Sequence, residues 1–233
     1  MSNIVVYSCV TGAYDMINST LISSIGVHEP NVRYVLYTDQ VKKTKTVNNP
    51  KSKISWEFRP LVWCHPLCQR RTARWHKINN HLLHDDSDYT VWVDGSQQIK
   101  EVGIFSKLVE PIFGRYVLGT FKHPNRTCVY QELQACINRK KDNFQLMRNQ
   151  IKKYREDNYP PYNGMVETSC VFRKACPEVT AFNALWWEQI AKNSFRDQLS
   201  FNYAAWKLNQ PYGIIPGCRS DSRFFRFIPH KYK

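Results

Sequence analysis

The strongest constraint on the fold of this chain is the alternation of short apolar runs with longer stretches of helical pattern. Ile4 to Val10 reads as a buried strand closed by the loop signal Thr11-Gly12, and Arg33 to Thr38 as a second, ending at Asp39. Ile54 to Phe58 alternates as a third strand, and Tyr89 to Asp94, Tyr116 to Phe121 and Thr168 to Phe172 supply three more. Helical patterns cover Gln69 to Leu83, where Trp75, Ile78 and Leu82 follow at spacings of three and four, and Val129 to Asp157, broken near Lys141-Asp142-Asn143. Two more run from Glu178 to Lys192 and from Asp197 to Leu208. Strands alternating with helices predict an α/β fold with a mostly parallel central sheet flanked by helices. Lys42 to Lys53 is basic and without period, so it reads as a surface loop, as does Pro160 to Gly164. The basic tail through Phe224 to His230 reads as irregular. With 233 residues, 42% of them hydrophobic, and no linker composition, we expect one domain over residues 1–233.

The formal net charge is +14, which points to an anionic partner: nucleic acid, a membrane surface or a phosphorylated small molecule. A basic surface kept for solubility is the plainer alternative. Aromatic residues such as Trp92 and Trp186-Trp187 fall inside strand and helix patterns instead of interleaving with a basic stripe, which weighs against nucleic acid. No apolar run approaches the ~20 residues needed to cross a bilayer. Met1 to Val10 lacks a basic leader and a cleavage site, so we expect a cytoplasmic protein with a basic surface available for peripheral membrane contact. Cys9 and Cys170 sit in strand runs as small buried hydrophobes. Cys64 and Cys68 bracket His65-Pro66-Leu67, yet no second pair stands at ligand spacing, which weighs against structural zinc. The sequons at Asn18 and Asn125 matter only if the chain is secreted.

Chemistry in an open α/β sheet gathers beyond the carboxyl ends of the strands. Asp94 stands at such an end, followed by Gly95. A carboxylate there either caps the turn or coordinates a divalent cation that bridges to a diphosphate. Arg74 and Lys77, three apart on the preceding helix, have the spacing of a phosphate clamp, whereas Arg70 and Arg71 read as a solvated basic face. Glu167, just before the Thr168 strand, is placed to orient or deprotonate a substrate hydroxyl. Asp197 either caps the helix it begins or works in a site with Arg196 and Gln198.

These residues fall into an ordered series: Thr11-Gly-Ala-Tyr-Asp15, Arg74-Trp-His-Lys77, Val91-Trp-Val-Asp-Gly95, Phe121-Lys-His-Pro-Asn-Arg126, Glu132, Glu167-Thr-Ser-Cys-Val-Phe-Arg173 and Arg196-Asp-Gln-Leu-Ser-Phe201. The series resembles a GT-A-like family long known only as a domain of unknown function. Its relatives include mucilage-related glycosyltransferase-like proteins of plants, a protein described as an alkaline ceramidase, and members in bacterial capsule-type loci. The resemblance covers nearly the whole chain in order.

What the resemblance implies is a GT-A (Rossmann-like) fold and transfer of a sugar from a nucleoside-diphosphate donor, with UDP the expected nucleotide, to a glycan or lipid-linked acceptor. Thr11, Arg74, Lys77, His123 and Arg126 would bind the donor, and Glu167, Asp197 and Gln198 would serve catalysis. Many GT-A enzymes carry Asp-x-Asp at the strand end and recruit a late histidine to the metal. Here Ser96 replaces the second aspartate, as it also tends to be replaced in this family, so Asp94 with His230 is the expected site for Mn²⁺ or Mg²⁺. The competing readings are a nucleic-acid-binding protein, from the charge, and a ceramide-type lipid hydrolase, from one relative. Against the latter stands the lack of a Gly-x-Ser-x-Gly elbow.

Overall fold

The computed structural model describes residues 2–12, 29, 32–48, 55–100, 103, 107 and 110–229. One eight-stranded sheet organises them. Its strands are β1 (Ile4–Val10), β2 (Val32–Thr38), β3 (Lys45–Asn48), β4 (Ser55–Pro60), β5 (Tyr89–Val93), β7 (Leu118–Lys122), β8 (Val166–Lys174) and β9 (Gly213–Ile215), with the two-stranded ribbon β6 (Gln97–Ile99) and β10 (Phe225–Phe227) beside it. The sheet order is β3-β4-β2-β1-β5-β8-β7-β9, and only β3 and β8 run against the rest. The helices are α1 (Gln69–Ile78), α2 (Asn80–Leu83), α3 (Glu110–Phe113), α4 (Val129–Asn138), α5 (Phe144–Glu156), α6 (Pro177–Lys192) and α7 (Gln198–Lys207). The expected mostly parallel, Rossmann-like α/β architecture is therefore the one present.

The central strands are buried on both faces, which is why they read as unbroken apolar runs. Along β1, Val5, Tyr7 and Cys9 join a core with Ile78, Phe182, Trp186, Ile190 and Phe201 from α1, α6 and α7. Ile4, Val6 and Val10 point the other way, into a core completed by Ile99, Phe224 and Phe225 at the small ribbon and by Ile112 and Phe113 of α3. A third cluster, around Tyr154, Tyr159 and Tyr203, joins α5 to α7. Trp92 and Trp186, expected in the interior, are buried there.

Three local expectations are corrected. Residues 45–48 form an edge strand pairing antiparallel with β4, not a loop; its short, mostly polar sequence, led by Lys45, suits an edge that must not recruit a neighbour. The Gln69–Leu83 helix breaks at Asn79, and Leu82 is 63% exposed, so it belongs to no core face. The C-terminal segment is not wholly irregular, since Phe225–Phe227 pairs with Gln97–Ile99. Among the described residues no helix is long and apolar enough to cross a membrane.

From β1, the chain order runs to β2 on one side and to β5 on the other. That reversal is the switch point at which α/β sheets form their ligand crevice, beyond the carboxyl ends of the strands, and Thr11 and Asp94 stand there.

Candidate active site

Asp94 is placed by both of its backbone groups. Its N–H donates to Ser169 O of the antiparallel β8 (2.8 Å), and its carbonyl accepts from Gln97 N (2.8 Å), closing the turn through Gly95. The main chain thus makes the turn, and the carboxylate is left for other partners. Oδ1 accepts from the Trp92 indole N–H (2.6 Å) and lies 3.4 Å from Lys77 Nζ.

Lys77 is the unexpected centre of the site. Its side chain is 0% exposed, on the polar buried face that α1 makes with Thr72 and His76. The ammonium donates to Asp197 Oδ2 (2.5 Å) and to Thr168 O (2.5 Å), while Thr168 Oγ1 donates to the same Asp197 oxygen (2.8 Å). Arg74 Nε faces the other oxygen, Asp197 Oδ1, at 3.2 Å. Asp197 begins α7 but makes no side-chain cap bond. Burial disfavours its charge, yet Arg74, Lys77 and Arg196 outweigh that and hold the carboxyl far below the usual range. Where the sequence suggests a phosphate clamp and a helix cap, the structure therefore has a buried ionic cluster behind Asp94. Arg71 is not on a solvated face either: it donates to Ile190 O and, at 2.6 Å, to Asn193 O, satisfying the end of α6.

The end of α1 that carries these cations is fixed from below by Arg173, which is wholly buried. Its guanidinium donates to Lys77 O and Tyr7 Oη (2.7 Å each) and to Ile78 O and Asn183 Oδ1 (3.2 Å each). Carbonyls at a helix C-terminus are the partners a buried cation accepts most readily without an anion.

Glu167 opens the antiparallel strand β8, so it lies at the same sheet end as Asp94. Oε2 accepts from Arg219 N (2.8 Å), and Arg219 Nε lies 3.5 Å from Oε1. Burial raises the carboxyl above its ordinary value and the charge of Asp94 adds to this, while the Arg219 backbone N–H and side chain pull it back. Gln198 donates to Val166 O (3.2 Å), pinning the start of that strand.

His123 and Arg126 follow β7 at this end too. His123 Nδ1 accepts from the backbone N–H groups of Asn125 and Arg126 (3.1 Å each), and Nε2 lies 2.6 Å from the Arg126 guanidinium. Arg126 also pairs with Glu132, whose other oxygen accepts from Cys136 Sγ at 3.3 Å. Burial and the neighbouring Arg126 push the imidazole down to about 4, so it is neutral at pH 7. At the end of β1, Thr11 Oγ1 (3.1 Å) and Gly12 N (2.7 Å) both donate to Asp39 Oδ2 at the end of β2. Gly12 has φ +65, and a side chain there would collide with the Gln69 carboxamide, 1.6 Å from where its Cβ would stand.

A family model described as "TOD1/MUCI70, glycosyltransferase-like domain" matches residues 1–216. The chain belongs to this family. The TOD1/MUCI70 match spans the large sheet, every helix among the described residues and the Lys77–Asp197–Arg74 cluster, while Arg219 lies beyond it. No curated protein matches the chain.

For a cation in this TOD1/MUCI70 domain, Asp94 offers one carboxylate oxygen not already engaged by Trp92 or Lys77. Among the described residues no group of three His, Cys, Asp or Glu side chains converges. Such a donor set fits a hard ion of the Mg²⁺ or Mn²⁺ kind, which takes one or two carboxylates and fills its sphere with water and substrate phosphate. His230 lies outside the described residues, as do Asn18 and Ala13 to Asp15. The chain nevertheless reaches this loop, since Ile228 N donates to Ser96 O at 2.9 Å.

Sequence reasoning missed the burial of Lys77, the indole on Asp94, and Asp39 and Arg219 as partners. Asp39 carried a usable signal, an acidic residue ending a strand like Asp94. Arg219 carried none.

Proposed function

We propose that the protein transfers a sugar from a nucleoside-diphosphate donor, UDP being the expected nucleotide, to a hydroxyl of a glycan or lipid-linked acceptor. Asp94 at the β1/β5 crevice, backed by the Lys77–Asp197–Arg74 cluster, is the observation that carries this reading. The nucleoside would enter over Thr11 and Gly12, with Asp39 facing its ribose in the manner of acidic residues that end the second strand of nucleotide-binding folds. Asp94, with His230, would hold a divalent cation, which when bound neutralises charge developing on the departing diphosphate. Arg74, Lys77 and, on the β7 side, Arg126 add positive potential around that diphosphate.

Glu167 is the residue we assign to the acceptor hydroxyl, because its raised pKa makes it a better proton acceptor than an ordinary glutamate. Asp197 acts as a positioning residue: it holds Lys77 beside Asp94 and pairs with Arg74. Gln198 positions the strand that bears Glu167. The decisive experiment is calorimetry and thermal shift with UDP and UDP-sugars, with and without Mn²⁺. Binding that requires Asp94 supports the reading. No response to any nucleoside diphosphate rejects it, and ceramide cleavage surviving Asp94→Ala would put the hydrolase in its place.

A further inference from the structure

We infer that the loop of residues 61–68, together with the basic residues beside it, is a docking surface for an anionic lipid bilayer. The loop leaves β4 and enters α1, and its side chains are sorted by direction. Leu61, Trp63 and His65 are partly buried, whereas Val62, Cys64, Pro66 and Leu67 are exposed, Leu67 by 92% and Val62 by 62%.

The inward half is firmly held. Trp63 stacks on Trp75 with centroids 5.8 Å apart and meets Trp187 edge-on at 5.5 Å. Val62 N donates to His76 Nε2 (3.1 Å), and His65 N donates to Thr72 Oγ1 (2.9 Å). One exposed leucine needs no explanation. A loop anchored by three aromatic rings and two buried polar groups, which presents four weakly polar or apolar side chains outward, is a built surface.

Its surroundings select the partner. Lys42 and Lys43, both exposed, follow β2, whose last residue Thr38 pairs with Pro60 immediately before the loop. Arg70, exposed and with its guanidinium 5.2 Å from the Phe195 ring centroid, stands in the first turn of α1, which has no acidic residue, whereas Arg71 is turned to the end of α6. Cations at a helix N-terminus oppose the helix dipole, so Arg70 stands there at a cost to the helix. Exposed apolar side chains with Lys42, Lys43 and Arg70 on the adjoining segments match the interface of a bilayer containing anionic lipid.

The surface also adjoins the crevice. Gln69, two residues beyond Leu67, packs its carboxamide against Gly12, just past the end of β1. Docked in this way, the crevice would open at the membrane, which suits the lipid-linked branch of the proposed acceptor. The inference rests on that reading only for this point.

The test is flotation of the purified full-length protein with phosphatidylcholine vesicles and with equimolar phosphatidylcholine–phosphatidylglycerol vesicles. We expect binding to the anionic vesicles alone. Leu67→Glu should weaken it by roughly tenfold or more, from the loss of inserted methylenes, and Lys42→Gln or Lys43→Gln by roughly fivefold each. Lys152→Gln/Lys153→Gln on α5, outside the surface, should leave it unchanged. Absence of binding overturns the inference. So does binding indifferent to Leu67→Glu, or equally reduced by the α5 changes, because diffuse charge then suffices. A dimer that Leu67→Glu dissociates while vesicles are ignored also overturns it. Thermal shift by UDP, measured on the same variants, should be unaffected, so a failure here is distinguishable from failure of the donor reading.

Discussion

Lys77 Nζ lies 2.5 Å from Asp197 Oδ2 and 3.4 Å from Asp94 Oδ1, so one wholly buried ammonium joins the start of α7 to the end of β5. Removing one member of a buried pair strands the other, which costs about 3–5 kcal/mol. Lys77→Met should therefore lower stability by that order in urea denaturation. Lys77→Met/Asp197→Asn should lose much less than the two single changes added together, a coupling that a double-mutant cycle reads directly.

The same cluster sets an acid limb. A carboxyl whose native pKa lies below its unfolded value contributes stability that is complete above about pH 4 and is lost as the pH falls through the lowered native value. Stability curves of the parent and of Asp197→Asn should converge on acidification below that point. Parallel curves would contradict the assignment.

Buried histidines act at milder pH. His84 sits between the rings of Tyr7 (4.9 Å) and Tyr37 (5.8 Å), with no hydrogen-bond partner for either ring nitrogen among the described residues. Burial, helped by Arg59 and Arg33, takes it down to about 3, and burial takes His76 down to about 4. Both must charge on unfolding, so their contribution is full above pH 6.5 and declines as the pH falls toward 4. Each site should add about 1.4 kcal/mol per pH unit to the slope in that window. Chemical denaturation between pH 4 and 7 measures it, and His84→Phe should flatten the curve.

Glu167→Gln should reduce kcat by about 10²–10⁴-fold while the thermal shift by UDP persists. Because the carboxyl is raised, the acid limb of turnover should lie above the ordinary glutamate value of about 4.3. The Arg219 side chain is part of what lowers that pKa, so Arg219→Ala, which keeps the backbone N–H bond, should move the limb modestly to higher pH.

Asp94→Ala should abolish any dependence of UDP binding on Mn²⁺. His230→Ala should weaken that dependence without removing it. Both are read by calorimetry with the cation present and absent.

The parts of this fold legible in the sequence are those where burial leaves a pattern. β1, β2 and β5 are covered on both faces and so appear as apolar runs, and their ends located Thr11 and Asp94. β3 was invisible because an edge strand can be almost entirely polar, and β6 and β10 were missed because three residues carry no period. The site was harder to read for a related reason. A lysine in a helix is normally a surface residue, and nothing local in Arg74-Trp-His-Lys77 says that Lys77 is enclosed. Its enclosure depends on Asp197 and Thr168, 120 and 91 positions away. Arg219 meets Glu167 from the segment that leads into β10, where the chain returns to pair with β6.

That return has a consequence for how the chain must be made. Phe224 and Phe225 cover the face bearing Val6, Val91 and Phe121, yet they are synthesised after every strand of the large sheet. Until the ribosome has passed them, the nascent sheet carries an open greasy side. A truncation at residue 216, where the family match stops, would make that exposure permanent. Such a fragment should aggregate even though it retains Asp94, Glu167 and Asp197.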